Sequence, residues 1–429
     1  MKILVFLRYF LALIVLQASG VARAIDAMAL VPPSGAADMP KTYFGLHIHD
    51  AEKPGHWPQV PFGTWRLMDA YVIWPNLQPE RDKWDFSRLD GHVARARSLG
   101  VELILPLAMT PTWASARPNE KAAYGNGHAA EPANLNDWRT YVRTVATRYR
   151  GQITAYEIWN EVTEKMFWTG TTQQLVEMTH IAFEEIKRQD PDAKVIAPSG
   201  VGLDRRTSWP RKFLDAGGAK WVDVISFHLY HGPHAPEFKI SALLKMRADL
   251  EAGGYGRLPI WNTESGYLTE TAFNGRDDWS DDERKYRQPV TTVASYVVRD
   301  FLLARAMGYE KFVWYAWDSI KYGLQEPSNQ QVRESGVVYG NAVSFLMRSV
   351  LERCDRDRDG VWVCRMKLAN GKTAQIIWLD PKADVAPSIV RTAPFAGWQR
   401  FFDGRTEKII ALGERVTLSS NPVLLEQGQ

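Results

Sequence analysis

The chain has 429 residues, 45% of them hydrophobic and 24% charged, and its formal net charge is only +3. These proportions exclude a disordered, fibrous or membrane-embedded protein, and the interspersed signs leave no concentrated basic face for nucleic acid. Specificity therefore has to reside in a built site.

Residues 1–24, "MKILVFLRYFLALIVLQASGVARA", join an early lysine to an apolar run and end on Ala22-Arg23-Ala24, a small-x-small cleavage signal. They read as a secretory signal peptide cut after Ala24, which implies a periplasmic or secreted protein. The competing reading is an uncleaved leader giving weak membrane association, although Arg8 interrupts the apolar run. Residues 25–40 are rich in Pro, Gly and Ala without periodicity and are expected to be a flexible linker.

From residue 41 to 351, short apolar runs alternate with helical stretches. The runs are 43–49, 63–68, 101–108, 153–159, 193–199, 221–230, 258–264 and 311–318. Eight strands with crossover helices predict an α/β fold, a (β/α)8 TIM barrel. The first crossover, "DAEKPGHWPQVPF", is too short and proline-rich for a full helix. Helices are expected over 134–150, capped by Asn134, over 173–189, and around 340–351.

Residues 352–429 change to short alternating runs, with Asn370-Gly371 marking a hairpin, and predict a small C-terminal β-sandwich domain packed on the barrel. Cys354 and Cys364 are the only cysteines, and in an exported protein they read as a disulfide. "DRDRDG" (355–360) imitates a calcium loop, but the twelfth position is Met366 rather than a glutamate, so it reads as a charged hairpin tip.

In such a barrel, chemistry is sought at the carboxyl ends of the strands. Those ends carry His47 and His49, Arg66 and Asp69, Asn160 and Glu161, His228 and Tyr230, Glu264, then Trp317 and Asp318. Glu161 follows the fourth strand and Glu264 the seventh, so the two carboxyls can meet across the mouth. Paired carboxyls, one protonated and one ionised, are what cleavage of a glycosidic bond requires.

The motifs "WNEV" and "NTESG", with "GLHIH" on the first strand, "DVISFHLY" on the sixth and "WYAWD" on the eighth, resemble the clan A retaining glycoside hydrolases. Within that clan they are most similar to family 39 and its PslG-type bacterial exopolysaccharide endoglycosidases. The resemblance runs from about residue 41 to the end. It implies Glu161 as general acid/base and Glu264 as nucleophile, with Asn160 binding the sugar 2-hydroxyl. His228 and Tyr230 would bond the nucleophile or the sugar, Arg66 would keep the nucleophile ionised, and Trp317 would stack beneath the ring. His47, His49 and Trp113 are further expected substrate contacts. Stacking has an independent rationale, since a pyranose face is largely C–H and an indole is flat and rigid.

The reading expects no cofactor and no metal. Its rival places a metal on His47, His49, His228 and Asp318, as in barrel metallohydrolases, but leaves the glutamates without a role. Two others are a β-xylosidase-like or α-iduronidase-like exo-enzyme and a carbohydrate-binding protein without turnover. The sequence thus points to retaining, endo-acting hydrolysis of an exopolysaccharide, and sets no oligomeric state.

Overall fold

The computed structural model describes residues 27–33, 38–202, 205–230, 232–270, 280–381, 388–404 and 407–428. The expected leader lies outside the described residues, as do residues 271–279 of the stretch 266–288 that follows Glu264.

Eight parallel strands close into a barrel. The first, Phe44–His47, pairs on one side with the second, Thr64–Arg66, and on the other with the eighth, Tyr309–Trp314. The third to seventh are Glu102–Leu107, Ala155–Ile158, Lys194–Ile196, Ile225–His228 and Ile260–Ser265. Pro198, which has no N–H to donate, sits where the fifth strand breaks; Gly200–Val201 then resumes beside the sixth, and a bridge from Ile196 to Val224 completes the ring.

Side chains alternate across each strand. Ile104, Ala155, Ile196, Val224, Trp261 and Val313 point inward and form an apolar plug at the bottom of the barrel. One layer higher the inward positions are polar: Arg66, Glu157, Ser226 and Thr263, all buried. The outward positions, such as Trp65 and Tyr156, pack under the surrounding helices.

Helix Leu135–Arg148 begins where the Asn134 side chain accepts from the Asn136 N–H, and it buries Trp138, Tyr141, Val142 and Val145. Helix Thr172–Gln189 starts with a reciprocal capping box between Thr171 and Gln174. Residues 50–62 form turns and no helix. The last helix, Glu334–Leu346, stops earlier than its sequence suggests because the chain reverses at Arg348 (φ 62°) and enters a strand at Val350. Among the described residues no helix is long and apolar enough to cross a membrane.

The C-terminal part is a seven-stranded antiparallel sheet faced by the two-stranded sheet of Ile389–Thr392 and Arg415–Leu418. Ile377, Leu379, Val416, Leu418 and Leu425 fill the space between them. Cys354 and Cys364 stand opposite each other on neighbouring strands and are joined by a disulfide. In the turn that follows, Asp357 accepts from the N–H groups of Asp359 and Val361, and Arg391 bridges Asp357 and Asp359, so these carboxylates are occupied with holding the hairpin.

One expectation needs correction. The segment 25–40 is not simply a linker, because Met28–Leu30 forms the edge strand of this sheet, paired antiparallel with Cys354–Arg356. Mean composition hid it: three apolar residues suffice to close an edge, and Leu30 is buried there.

The opposite face of the large sheet continues the barrel core, with Trp362 and Trp378 in the same apolar cluster as Phe312 and Trp314. The Trp378 indole donates to Glu237 (2.7 Å), which also pairs with Arg299 of helix Val290–Ala306.

Candidate active site

The fourth strand delivers its acid through an irregular turn. Glu157 points into the barrel and Ile158 outward; then Trp159 (φ 64°) and Glu161 (φ 46°) both adopt the left-handed conformation. For non-glycine residues that conformation costs roughly 1–3 kcal/mol each and persists only where the surroundings hold it. Here Ser199 does so, its hydroxyl accepting from the Glu161 N–H (3.2 Å) and its carbonyl from the Val162 N–H (2.9 Å).

The seventh strand delivers its acid through a bulge. Asn262 faces Phe312 and Ser265 faces Trp314, so Thr263 and Glu264 together oppose one residue of the eighth strand. The extra residue resets the alternation, and both Thr263 and Glu264 turn inward. Just beyond, a Cβ on Gly266 would lie 1.9 Å from the Tyr315 carbonyl oxygen, so this close approach admits glycine alone.

The two glutamates meet. One oxygen from each, with a ring nitrogen of His228, lie within 4.8 Å of one another. Arg66 organises the floor beneath them: its Nε donates to Glu157 (2.6 Å), one terminal nitrogen to Glu264 Oε2 (2.7 Å), and the other to Asn160 Oδ1 (2.7 Å). Glu157 is held in turn by the hydroxyls of Ser226 (2.6 Å) and Thr263 (2.8 Å). On the solvent side Tyr230 donates to Glu264 Oε1 (3.0 Å), and His228 Nδ1 lies 2.9 Å from Glu161 Oε1.

Burial pushes both carboxyls up, Glu161 to about 8 and Glu264 to about 7. Burial also pushes His228 down to about 4, so it is neutral near pH 7, and the cation that favours an ionised Glu264 is Arg66. Burial, reinforced by the Arg66 charge, holds His47 well below the usual imidazole range.

Above the pair opens a cavity of about 540 Å³. Its wall contains Asn160, Glu161, Tyr230 and Glu264 together with Asp69, Phe167 and the tyrosines Tyr124, Tyr286, Tyr315 and Tyr322. Asn160 spends its Oδ1 on Arg66, which leaves its NH2 for a ligand. Arg66, His228 and His47 stand behind the wall; His47 Nε2 donates to the Thr263 carbonyl (3.2 Å) and lies 3.8 Å from Glu264.

Three expected contacts fall elsewhere. Trp317 is fully buried under the first strand, its backbone N–H bonded to the His47 carbonyl (2.8 Å), and is absent from the cavity wall. The eighth strand ends at Trp314, so the aromatic that meets the mouth is Tyr315. Trp113 lies outside the wall, with its indole bonded to the Gln78 carbonyl and Arg81 over its ring at 4.7 Å. His49 lines a neighbouring cavity, its ring against Tyr315.

The residues of the rival metal reading do not converge. Asp318 groups with Asp50 and His56, whereas His228 groups with the two glutamates. Asp318 accepts the backbone N–H groups of His49 (2.8 Å) and Asp50 (2.9 Å), which ties the loop after the first strand.

Glu157, Ser199 and the loop tyrosines Tyr124, Tyr286, Tyr315 and Tyr322 were missed from the sequence, and Asp69 was seen at a strand end without a role. Glu157 had a readable signal, a charge at an inward position in mid-strand that demands a partner such as Arg66. The loop tyrosines had none.

No family model matches the sequence and no curated protein matches it. Solved structures do. A family 39 glycoside hydrolase from the gut symbiont Bacteroides cellulosilyticus WH2 superposes with a TM-score of 0.70 at 17% identity, covering 91% of this chain and 81% of that one. A GH39 β-xylosidase from Caulobacter crescentus gives 0.63 at 16% identity, covering 94% and 99%. A family 30 subfamily 8 xylanase from Clostridium acetobutylicum gives 0.59 at 15%, covering 92% and 98%. The chain therefore shares the fold of these enzymes: a parallel barrel followed by an antiparallel β-domain.

Proposed function

We propose that this chain is a retaining glycoside hydrolase with Glu161 as general acid/base and Glu264 as nucleophile. The observation that carries the reading is that one oxygen of each carboxyl, delivered from opposed strands, comes within 4.8 Å of the other. Retaining enzymes hold their pair ~5–5.5 Å apart and inverting ones ~6.5–9.5 Å, since the latter must fit a water between them.

In the first step protonated Glu161 gives its proton to the departing oxygen while Glu264 attacks the anomeric carbon. The glycosidic C–O bond breaks and an ester to Glu264 forms. Oε1 of Glu264 is the attacking oxygen, being the one on the side of Tyr230 and His228. Glu161, now ionised, removes a proton from water, whose oxygen displaces Glu264 and returns the product with its configuration kept. His228 donating from Nδ1 to Oε1 of Glu161 leaves the acid's proton on its other oxygen, free for the leaving group.

The finer reading is an exported enzyme that cuts a bacterial exopolysaccharide internally. The leader-like residues 1–24 and the motif resemblance support it. The fold likeness to a β-xylosidase favours a second reading, exo-action on a xylose-like terminus. An acidic sugar is disfavoured, because the described wall residues include Asp69, Glu161, Glu164 and Glu264 and no lysine or arginine.

The test is release of reducing ends from polysaccharide by the purified protein and by Glu264→Gln. Turnover by the parent, its loss in the variant and a retained anomer by NMR are the expected results. Binding without new reducing ends would instead identify a carbohydrate-binding protein, and an inverted first product would remove the nucleophile from Glu264.

A further inference from the structure

A second cavity, of about 420 Å³, adjoins the catalytic one and plays no part in the chemistry above. The two share Asp69, Tyr124 and Tyr315. Asp69 accepts from Tyr124 (2.5 Å) and from Tyr315 (3.0 Å), so the common wall is a hydrogen-bonded unit. The far side is made by His49, whose Nε2 has no hydrogen-bond partner, and by Tyr71 and Asn76, both exposed.

The position of the acid gives this cavity a direction. Glu161 follows the fourth strand, and beyond it the catalytic wall continues through Val201 and Gly202. With Glu161 as the proposed acid, the leaving group would depart to that side. The second cavity lies over the first three strands and the eighth, away from the acid.

We propose that this second cavity binds the sugar unit preceding the cleaved residue on its non-reducing side. The proposal rests on the glycosidase reading and deepens it, because a glycan with a further unit bound ahead of the cleaved residue is cut within its length. The chemistry fits an uncharged sugar: tyrosine rings for its C–H faces, Asp69, His49 and Asn76 for its hydroxyls, and no lysine or arginine among the described wall residues. The volume falls within the about 300–1,000 Å³ usual for small-molecule sites.

The experiment compares kcat/KM on matched 4-nitrophenyl β-glycosides, xyloside against xylobioside and glucoside against cellobioside. The parent is expected to prefer the disaccharide of a pair by about tenfold or more, and Tyr71→Ala and Asn76→Ala each to lose most of that preference. Both side chains are exposed, so matching melting temperatures check that the variants fold. Equal rates on both lengths, or a preference that survives both substitutions, would overturn the compartment and leave the glycosidase intact. Turnover at neither length would count against the glycosidase reading and this one together.

Discussion

Arg66 reaches Glu264 Oε2 at 2.7 Å while its Nε holds Glu157 at 2.6 Å, so one guanidinium on the second strand fixes a carboxylate of the seventh against one of the fourth. All three are buried. Two acids on one cation leave the inner charge, Glu157, as the permanent partner, and let Glu264 change its bonding during a reaction.

This arrangement sets a pH profile. On the proposed mechanism Glu264 must be ionised and Glu161 protonated, so the rate should fall on the acid side as Glu264 gains a proton near 7, and on the alkaline side as Glu161 loses one near 8. A narrow bell in kcat/KM is expected. Arg66→Lys, which cannot span all three acceptors, should move the acid limb to higher pH. An unmoved limb in a folded variant would remove Arg66 from control of Glu264.

Stability should follow the same groups. Folded Glu161 and Glu264 keep protons to about 8 and 7, whereas a free glutamate releases its own near 4.5. The unfolded chain sheds protons first, so these two groups lower stability as pH rises through that interval. His228 works oppositely: folded it protonates near 4 against 6.5 when free, and its contribution is lost as pH falls from 6.5 to 4. Between pH 6.5 and 8 only the carboxyl trend remains of the two, and thermal melts of Glu161→Gln should show a shallower decline there.

Glu161 also predicts a leaving-group split. Glu161→Ala should lose about 10²–10⁴-fold on glycosides with poor leaving groups, and far less in the first step for activated aryl glycosides. Pre-steady-state bursts on both substrate classes are the measurement. Equal losses would deny it the acid role.

Gly266→Ala should act at a distance. The new methyl meets the Tyr315 carbonyl oxygen at 1.9 Å, and both partners are backbone, so Glu264 and Tyr315 must part. Misplacement of about 1 Å near a reacting centre costs on the order of 10²-fold in rate. Activity near the parental level would show that the loop relaxes elsewhere.

Tyr315 and Trp317 should separate binding from folding. Trp317→Ala removes a fully buried ring and is expected to cost about 3–5 kcal/mol of stability. Tyr315→Ala should leave more stability and reduce kcat/KM by about tenfold, while Tyr315→Phe keeps the ring and loses only the bond to Asp69. Denaturant melts and kinetics on the same variants check both.

The barrel was legible because each strand announces itself by an apolar run, and the two glutamates because they end such runs. Register was not. Whether Tyr315 or Trp317 faces the mouth depends on where the eighth strand stops, and Glu264 points inward only because of a bulge that no residue pattern declares. The broken fifth strand was foreshadowed by Pro198, yet the role of Ser199 in bracing Glu161 needs the third dimension. The loop tyrosines come from stretches without periodicity, where composition is the only guide.

The pairing of Met28–Leu30 with Cys354–Arg356 bears on how this protein should be produced. A gene trimmed to the barrel's first strand would strip the cover from Cys354–Arg356 and bare its backbone donors and acceptors, an invitation to aggregate. Expression designs should therefore keep Met28 onward, and a purification tag is best joined ahead of that strand through a spacer.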